Sequence, residues 1–143
     1  MRNMSDTATK TTETKNFERA VGRRKTAAAR VRLVPNGKGS VVINERDLVS
    51  YFPLELMRQK VLSPLVVTGK EKDFDISVKV IGGGVTSQAE AVRHGIARAL
   101  VKWNVDLKPI LKAEGYLTRD ARAKERKKPG RHKARRGHQW RKR

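Results

Sequence analysis

The residues best equipped for chemistry in this sequence are cations. Arg23, Arg24 and Lys25 form a triplet, and Arg30 and Arg32 follow at the alternating spacing of one strand face. No acid occurs between Val21 and Asn44. A solvated strand face normally mixes both signs. A row of one sign suits a sugar–phosphate backbone, whose successive anions can be matched by extended cations. A second candidate is Gly82-Gly83-Gly84, just ahead of an apolar-striped helix. Exposed backbone N–H groups and the positive end of a helix favour phosphate there, though a tight strand-to-helix turn explains the glycines as well. GGGVTSQAEA lacks the lysine followed by serine or threonine of a nucleotide-hydrolysing loop, and the glycine spacing of a dinucleotide fingerprint. His94, Arg98 and Lys102 recur at i, i+4 and i+8, as a phosphate-contacting stripe or an ordinary helix surface.

Catalytic constellations are missing. His94 falls on a helix, while His132 and His138 lie among many positive charges, which disfavour imidazolium and repel metal ions. The acids are scattered among bases, with no pair set for proton transfer. The expectation is a binding protein that performs no reaction, with no metal, no cofactor and no small-molecule substrate. The absence of cysteine excludes disulfides and thiolate metal sites and identifies no compartment.

Charge is unevenly spread. The formal net charge is +20, and residues 119–143 hold 13 bases and two acids. More than half of the net charge therefore sits in the last 25 residues. Such a segment repels itself and resists compaction until a polyanion neutralises it. GRHKARRGHQWRKR, Gly130 to Arg143, has no Leu, Ile or Phe to enter lipid, so nucleic acid is expected and a membrane is not. Trp140 has no core to join there. It is placed to stack or wedge against RNA, or to anchor the last turn.

The elements that must position these residues can be read from periodicity. Ala27, Ala29, Val31 and Leu33 predict a half-buried strand, with Arg30 and Arg32 on its open face. Pro35 to Gly39 predicts a turn, and Ser40 to Asn44 the returning strand of a hairpin. Arg46 to Phe52 reads as a short helix. Pro53 is suited to open a second helix, carried by Leu54, Met57, Val61 and Leu62 and ended by Ser63-Pro64. Phe74 to Val80 is a strand with Asp75, Ser77 and Lys79 outward. A long helix is expected from Ser87 to Trp103, with a Ser87–Glu90 capping box and a stripe of Ala89, Val92, Ile96, Ala99, Leu100 and Trp103. A short helix from Asp106 to Ala113 ends at Gly115. The fold class is α+β, one sheet with helices on one face. Residues 1–18 read as a disordered polar leader without the apolar centre of a signal peptide. Residues 19–118 read as a globular domain and residues 119–143 as an extended basic arm.

These pieces resemble a known family, the ninth protein of the small ribosomal subunit, of bacterial type. The resemblance rests on GRRKT (Gly22 to Thr26), VRLVPNGKG (Val31 to Gly39), YFP (Tyr51 to Pro53), LTRD (Leu117 to Asp120) and ERKKPGRHKARR (Glu125 to Arg136). GGGVTSQAEAVRHGIARAL, Gly82 to Leu100, is its most specific part. It implies a two-layer domain with a left-handed βαβ crossover and a cytoplasmic, ribosomal location. The domain would sit on small-subunit rRNA in the head, beside neighbouring head proteins. The implied rRNA-binding residues are Arg23, Arg24, Lys25, Arg30, Arg32, Gly82, Gly83, Gly84, Arg93, Arg98, Arg119, Arg122, Arg126, Lys127, Lys128, Arg131, Lys133, Arg135 and Arg136. Arg141, Lys142 and Arg143 would reach the anticodon stem-loop of the peptidyl-site tRNA. The family commonly ends in an aromatic residue, serine, lysine and arginine. This chain has Trp140, Arg141, Lys142 and Arg143, and Ala121 where a proline is frequent. Charge alone also allows a general nucleic-acid-binding, DNA-compacting protein. A small-molecule kinase on a related crossover fold would need a nucleotide loop and metal-binding acids that the sequence lacks.

Overall fold

The computed structural model describes residues 16–142. Residues 1–15 of the expected leader and Arg143 of the expected tip lie outside the described residues. Strands β1 (Glu18–Arg24), β2 (Ala27–Pro35), β3 (Val41–Ile43), β4 (Arg46–Asp47) and β5 (Phe74–Ile81) form a single sheet in the order β1-β2-β5-β3-β4. Helices α1 (Leu48–Tyr51), α2 (Glu55–Thr68), α3 (Val85–Trp103) and α4 (Lys108–Ala113) complete the α+β body.

The period-two pattern decides which sheet face is covered. Ala27, Ala29, Val31 and Leu33 of β2 are buried, as are Phe74, Ile76, Val78 and Val80 of β5. They form one core with Val61 and Leu65 of α2 and with Ala89, Val92, Ile96, Ala99 and Leu100 of α3. Arg30, Arg32, Ser77 and Lys79 on the opposite face are exposed. The apolar stripe expected of α3 is buried except at Trp103, whose ring meets Phe74 edge-on at 4.9 Å.

The expected β2–β3 hairpin does not form. β5 lies between them, antiparallel to β2 and parallel to β3. The turn after Pro35 is instead pinned to the start of β5: Gly37 N–H donates to the Asp73 carbonyl, and Lys38 and Ser40 N–H groups donate to Asp75 Oδ1. β3 pairs with β4 around Asn44 and Glu45, both at positive φ, the backbone of a tight two-residue hairpin. Asn44 extends the β3–β5 pairing through its side chain, donating Nδ2 to the Val80 carbonyl and accepting the Val80 N–H. β3 and β5 are thus parallel neighbours joined through α1 and α2.

Helix boundaries also depart from expectation. Arg46 and Asp47 belong to β4, so the first helix is only Leu48–Tyr51. α2 begins at Glu55 after Leu54, which leaves Pro53 outside it, and runs through Pro64 to Thr68. Proline removes the N–H that would bond the Lys60 carbonyl. Ser63 Oγ, 2.8 Å from that oxygen, supplies the missing donor. Gly69, at φ 64°, closes the helix in the left-handed conformation. α3 starts at Val85, so Ser87 is the third helical residue and not the cap; its Oγ accepts the Gly84 N–H at 3.0 Å. The segment expected to be helical from Asp106 splits into a 3₁₀ turn, Val105–Leu107, and α4. Glu18, placed in the leader by the sequence, opens β1. Residues 114–142 contain no helix or strand.

Candidate nucleic-acid interface

The open sheet face gathers cations from three strands. In register, Arg32 lies beside Arg19 of β1 and Ser77 of β5, and Arg30 lies beside Val21 and Lys79. Neighbouring strands are about 4.8 Å apart, so Arg19, Arg30, Arg32 and Lys79 line one shallow depression. Phe17 lies against it, with the Arg19 guanidinium 4.6 Å and the Arg32 guanidinium 5.6 Å from its ring centre. Asp75, the one acid of β5, accepts the amides of the β2–β3 loop.

The His94–Arg98–Lys102 stripe has a structural task. β1 is an edge strand, and its outer backbone groups need partners. Lys102 Nζ donates to the Arg19 carbonyl at 3.1 Å, Arg98 donates to the Val21 carbonyl at 2.5 Å, and Arg23 N–H donates to His94 Nδ1 at 3.2 Å. Four helical residues advance about 6 Å and two strand residues about 6.7 Å, so the two periods keep step. Arg98 and Lys102 nevertheless remain exposed. His94 is buried and accepts a hydrogen bond at Nδ1, so its neutral form fits the site. Burial holds its pKa below the ordinary value, helped by the positive charges of Arg98, Arg119 and Arg93 and opposed by a hydrogen bond with the Leu117 backbone.

Arg24 sits where the end of β1 meets the segment that follows Thr118. Its Nε is 2.7 Å from Glu90 Oε2, its Nη2 is 3.3 Å from Asp120 Oδ2, and its Nη1 donates to the Arg122 carbonyl. Lys60 approaches the other Glu90 oxygen at 3.5 Å. Burial alone would raise the Glu90 pKa, but the Arg24 hydrogen bond and the charges of Lys60 and Arg24 outweigh it and hold it low. Asp120 is held far below the usual carboxylate range by hydrogen bonds from the Arg122 side chain and amide, with Arg24 adding to the effect. Arg119 reaches the Lys25 carbonyl at 3.4 Å, and Arg93 lies 5.3 Å from the centre of the Tyr116 ring. Of the triplet, Arg23 and Lys25 are exposed while Arg24 is folded into this clamp.

Gly82, Gly83 and Gly84 lie exposed at the start of α3. Gly82 and Gly83 have φ of 77° and 66°, and a Cβ on Gly82 would lie 2.6 Å from the Thr26 carbonyl oxygen. The turn alone therefore requires glycine. Gln88 Nε2 donates to the Gly82 carbonyl, and the Tyr51 hydroxyl donates to Gln88 Oε1 at 2.7 Å, which fixes the loop from α1.

Beyond Asp120, Arg126, Lys127, Arg131, Lys133, Arg135 and Arg136 are exposed. Glu125 bridges Lys128 and Arg135, Arg131 donates to the Arg135 carbonyl, and His132 N–H donates to the Arg136 carbonyl. Trp140 is 91% exposed, and Arg141 and Lys142 are exposed beside it.

Sequence reasoning missed Arg19, Lys79 and Phe17. Lys79 was legible as outward-facing, but only the β2–β5 register puts it beside Arg30. Arg19 was hidden because ERAVGRR shows no apolar alternation.

A cationic sheet face, a glycine turn at a helix start and a base-dense C-terminal segment define a protein that holds a polyanion. The model of the ribosomal protein S9/S16 family matches residues 22–143, and the chain belongs to that family. It is accordingly a structural protein of the small ribosomal subunit, a ribonucleoprotein component that binds rRNA in translation.

Proposed function

We propose that the body binds rRNA in the head of the small subunit and that residues 119–143 run through the RNA as an arm toward the peptidyl-tRNA site. The observation that carries this reading is the charge distribution. Arg30 and Arg32 crowd the open face, and 13 bases fall within the last 25 residues. Family membership supplies the polymer. Arg23, Lys25, Arg30, Arg32, Arg93, Arg98 and the Gly82–Gly84 turn contact rRNA from the body. Arg119, Arg122, Arg126, Lys127, Lys128, Arg131, Lys133, Arg135 and Arg136 neutralise phosphates along the arm. Arg24 contributes by fixing the arm's root. Arg141, Lys142 and Arg143 meet the tRNA anticodon stem-loop, and head proteins flank the body in a cytoplasmic ribosome.

Ordering an arm costs about 1–2 kcal/mol per residue for the backbone alone. Charge-assisted contacts at this density offset that cost. The crossover joining β3 to β5 through α2 takes the left-handed form the family implies. The protein performs no reaction and needs no cofactor.

Co-sedimentation of the chain with small subunits tests the assembly role, and a crosslink from residue 143 to bound tRNA tests the tip. Deletion of 141–143 should leave assembly intact while weakening tRNA retention. Unchanged tRNA affinity and reading-frame fidelity would defeat the tip assignment. A chain that prefers duplex DNA to folded small-subunit RNA across salt concentrations would instead be a general DNA-compacting protein.

A further inference from the structure

We propose that the open face of the β1-β2-β5 sheet is a stacking site for an unpaired nucleotide of RNA, with Phe17 as its platform and Arg19, Arg30, Arg32 and Lys79 as its phosphate clamp. Phe17 lies outside the residues matched to the family, so nothing in that match assigns it a role. Its ring is half-buried, with the Arg19 and Arg32 guanidinium groups 4.6 and 5.6 Å from its centre. Phenylalanine carries no hydrogen-bonding group, and here it stands outside the core beside Arg19 and Arg32, two of the four cations that line the depression. Aromatic rings and guanidinium planes are the surfaces on which unstacked bases settle.

Charge complementarity selects the occupant. Arg30 and Lys79 are direct cross-strand neighbours, as are Arg32 and Arg19, so the four make a staggered block of positive charge across three strands. A protein partner would have to bury that block against matched acids. A nucleotide strand brings a phosphate on either side of each base and a π-face between them. A paired base keeps its faces stacked within the helix, so the site takes a single-stranded or bulged segment.

The proposal rests on the RNA-binding reading for its polymer and adds the state of the base. It is tested on the full chain in a Trp140→Leu background, so that the arm's ring cannot supply the signal. The probe is a short unstructured oligoadenylate carrying one 2-aminopurine, compared with duplex RNA of equal length. Phe17→Ala should weaken single-strand binding roughly 5- to 100-fold, the equivalent of one base–aromatic stack, and abolish the change in 2-aminopurine fluorescence. Duplex binding should stay within twofold, roughly, and Phe17→Tyr should retain both signals. Should Phe17→Ala lower the thermal midpoint, Phe17→Leu carries the comparison. Wild-type affinity and fluorescence change in the Ala and Leu variants would overturn the proposal, as would equal losses on single strand and duplex. Co-sedimentation of the unmutated chain with small subunits is read in parallel. Its failure strikes the ribosomal role, whereas co-sedimentation together with an indifferent Phe17 strikes only the stacking site.

Discussion

Gly22 of β1 and Gly95 of α3 meet backbone to backbone. A Cβ on Gly22 would fall 1.9 Å from the Ala91 carbonyl oxygen and 2.3 Å from Gly95 N, and one on Gly95 would fall 2.6 Å from Val31 Cγ2. This closeness brings α3 near enough for Lys102, Arg98 and His94 to reach the edge of β1. Gly95→Ala meets a side-chain methyl first and should destabilise by about 1–3 kcal/mol, as overpacking does. Gly22→Ala meets backbone that cannot yield, and should cost about 3 kcal/mol or more. Denaturant unfolding of both variants checks the order. Equal and negligible losses would show that the two elements can separate freely.

Ser63 offers a smaller, local test. Its hydroxyl stands in for the N–H that Pro64 lacks, so Ser63→Ala leaves the Lys60 carbonyl without that donor. The expected loss is about 1 kcal/mol, read as a fall in the thermal midpoint. In Pro64→Ala the backbone N–H returns, and adding Ser63→Ala to it should then cost clearly less. Additive losses would sink this account of how the helix passes its proline.

What could be read from the sequence followed from local periodicity. The alternation from Ala27 to Leu33 and from Phe74 to Val80, and the apolar stripe of α3, each encode a buried face within a few residues. The order of strands is not local. The turn letters from Pro35 to Gly39 suggested a hairpin, but Asp73 and Asp75, far along the chain, capture that loop and seat β5 beside β2. Pro64 was read as a stop because the rescue by Ser63 depends on a rotamer that spacing cannot show. Within the candidate interface, Arg30 and Arg32 were legible from parity alone. Arg24 looked equivalent to them until Glu90 and Asp120 were brought beside it by folding.

His94 makes the fold pH-sensitive in a defined direction. Its pKa in the folded chain lies below the ordinary imidazole value of about 6.5. The unfolded chain therefore binds the extra proton first as pH falls, and stability drops with it. Stability should hold above about pH 6.5, decline below it, and level off once the folded imidazole also protonates. Glu90, whose pKa is also depressed, should add a separate loss only below about pH 4.3. Thermal melts between these limits should flatten in His94→Gln. An unchanged slope in that variant would assign the titration elsewhere.

Arg24 and Arg30, six residues apart, should behave differently in salt-dependent RNA binding. Arg30 stands exposed on the open face beside Lys79, and each phosphate that a cation neutralises releases counterions. Replacing Arg30 and Arg32 together with glutamine should flatten the dependence of log affinity on log salt by roughly 1.5, at about 0.7–0.9 per phosphate contact. Deleting residues 119–143 should flatten it by several units, roughly in proportion to the phosphates the arm reaches. Arg24 already faces Glu90 and Asp120, so Arg24→Gln should leave the slope almost unchanged. Its effect should appear instead as faster proteolysis between Thr118 and Arg122, because the arm's root loses its anchor to β1 and α3. A slope change for Arg24→Gln equal to that of Arg30→Gln would mean that RNA pulls the clamp open and takes the guanidinium for itself. The two acids would then be placeholders for phosphate, and the root of the arm would move on binding.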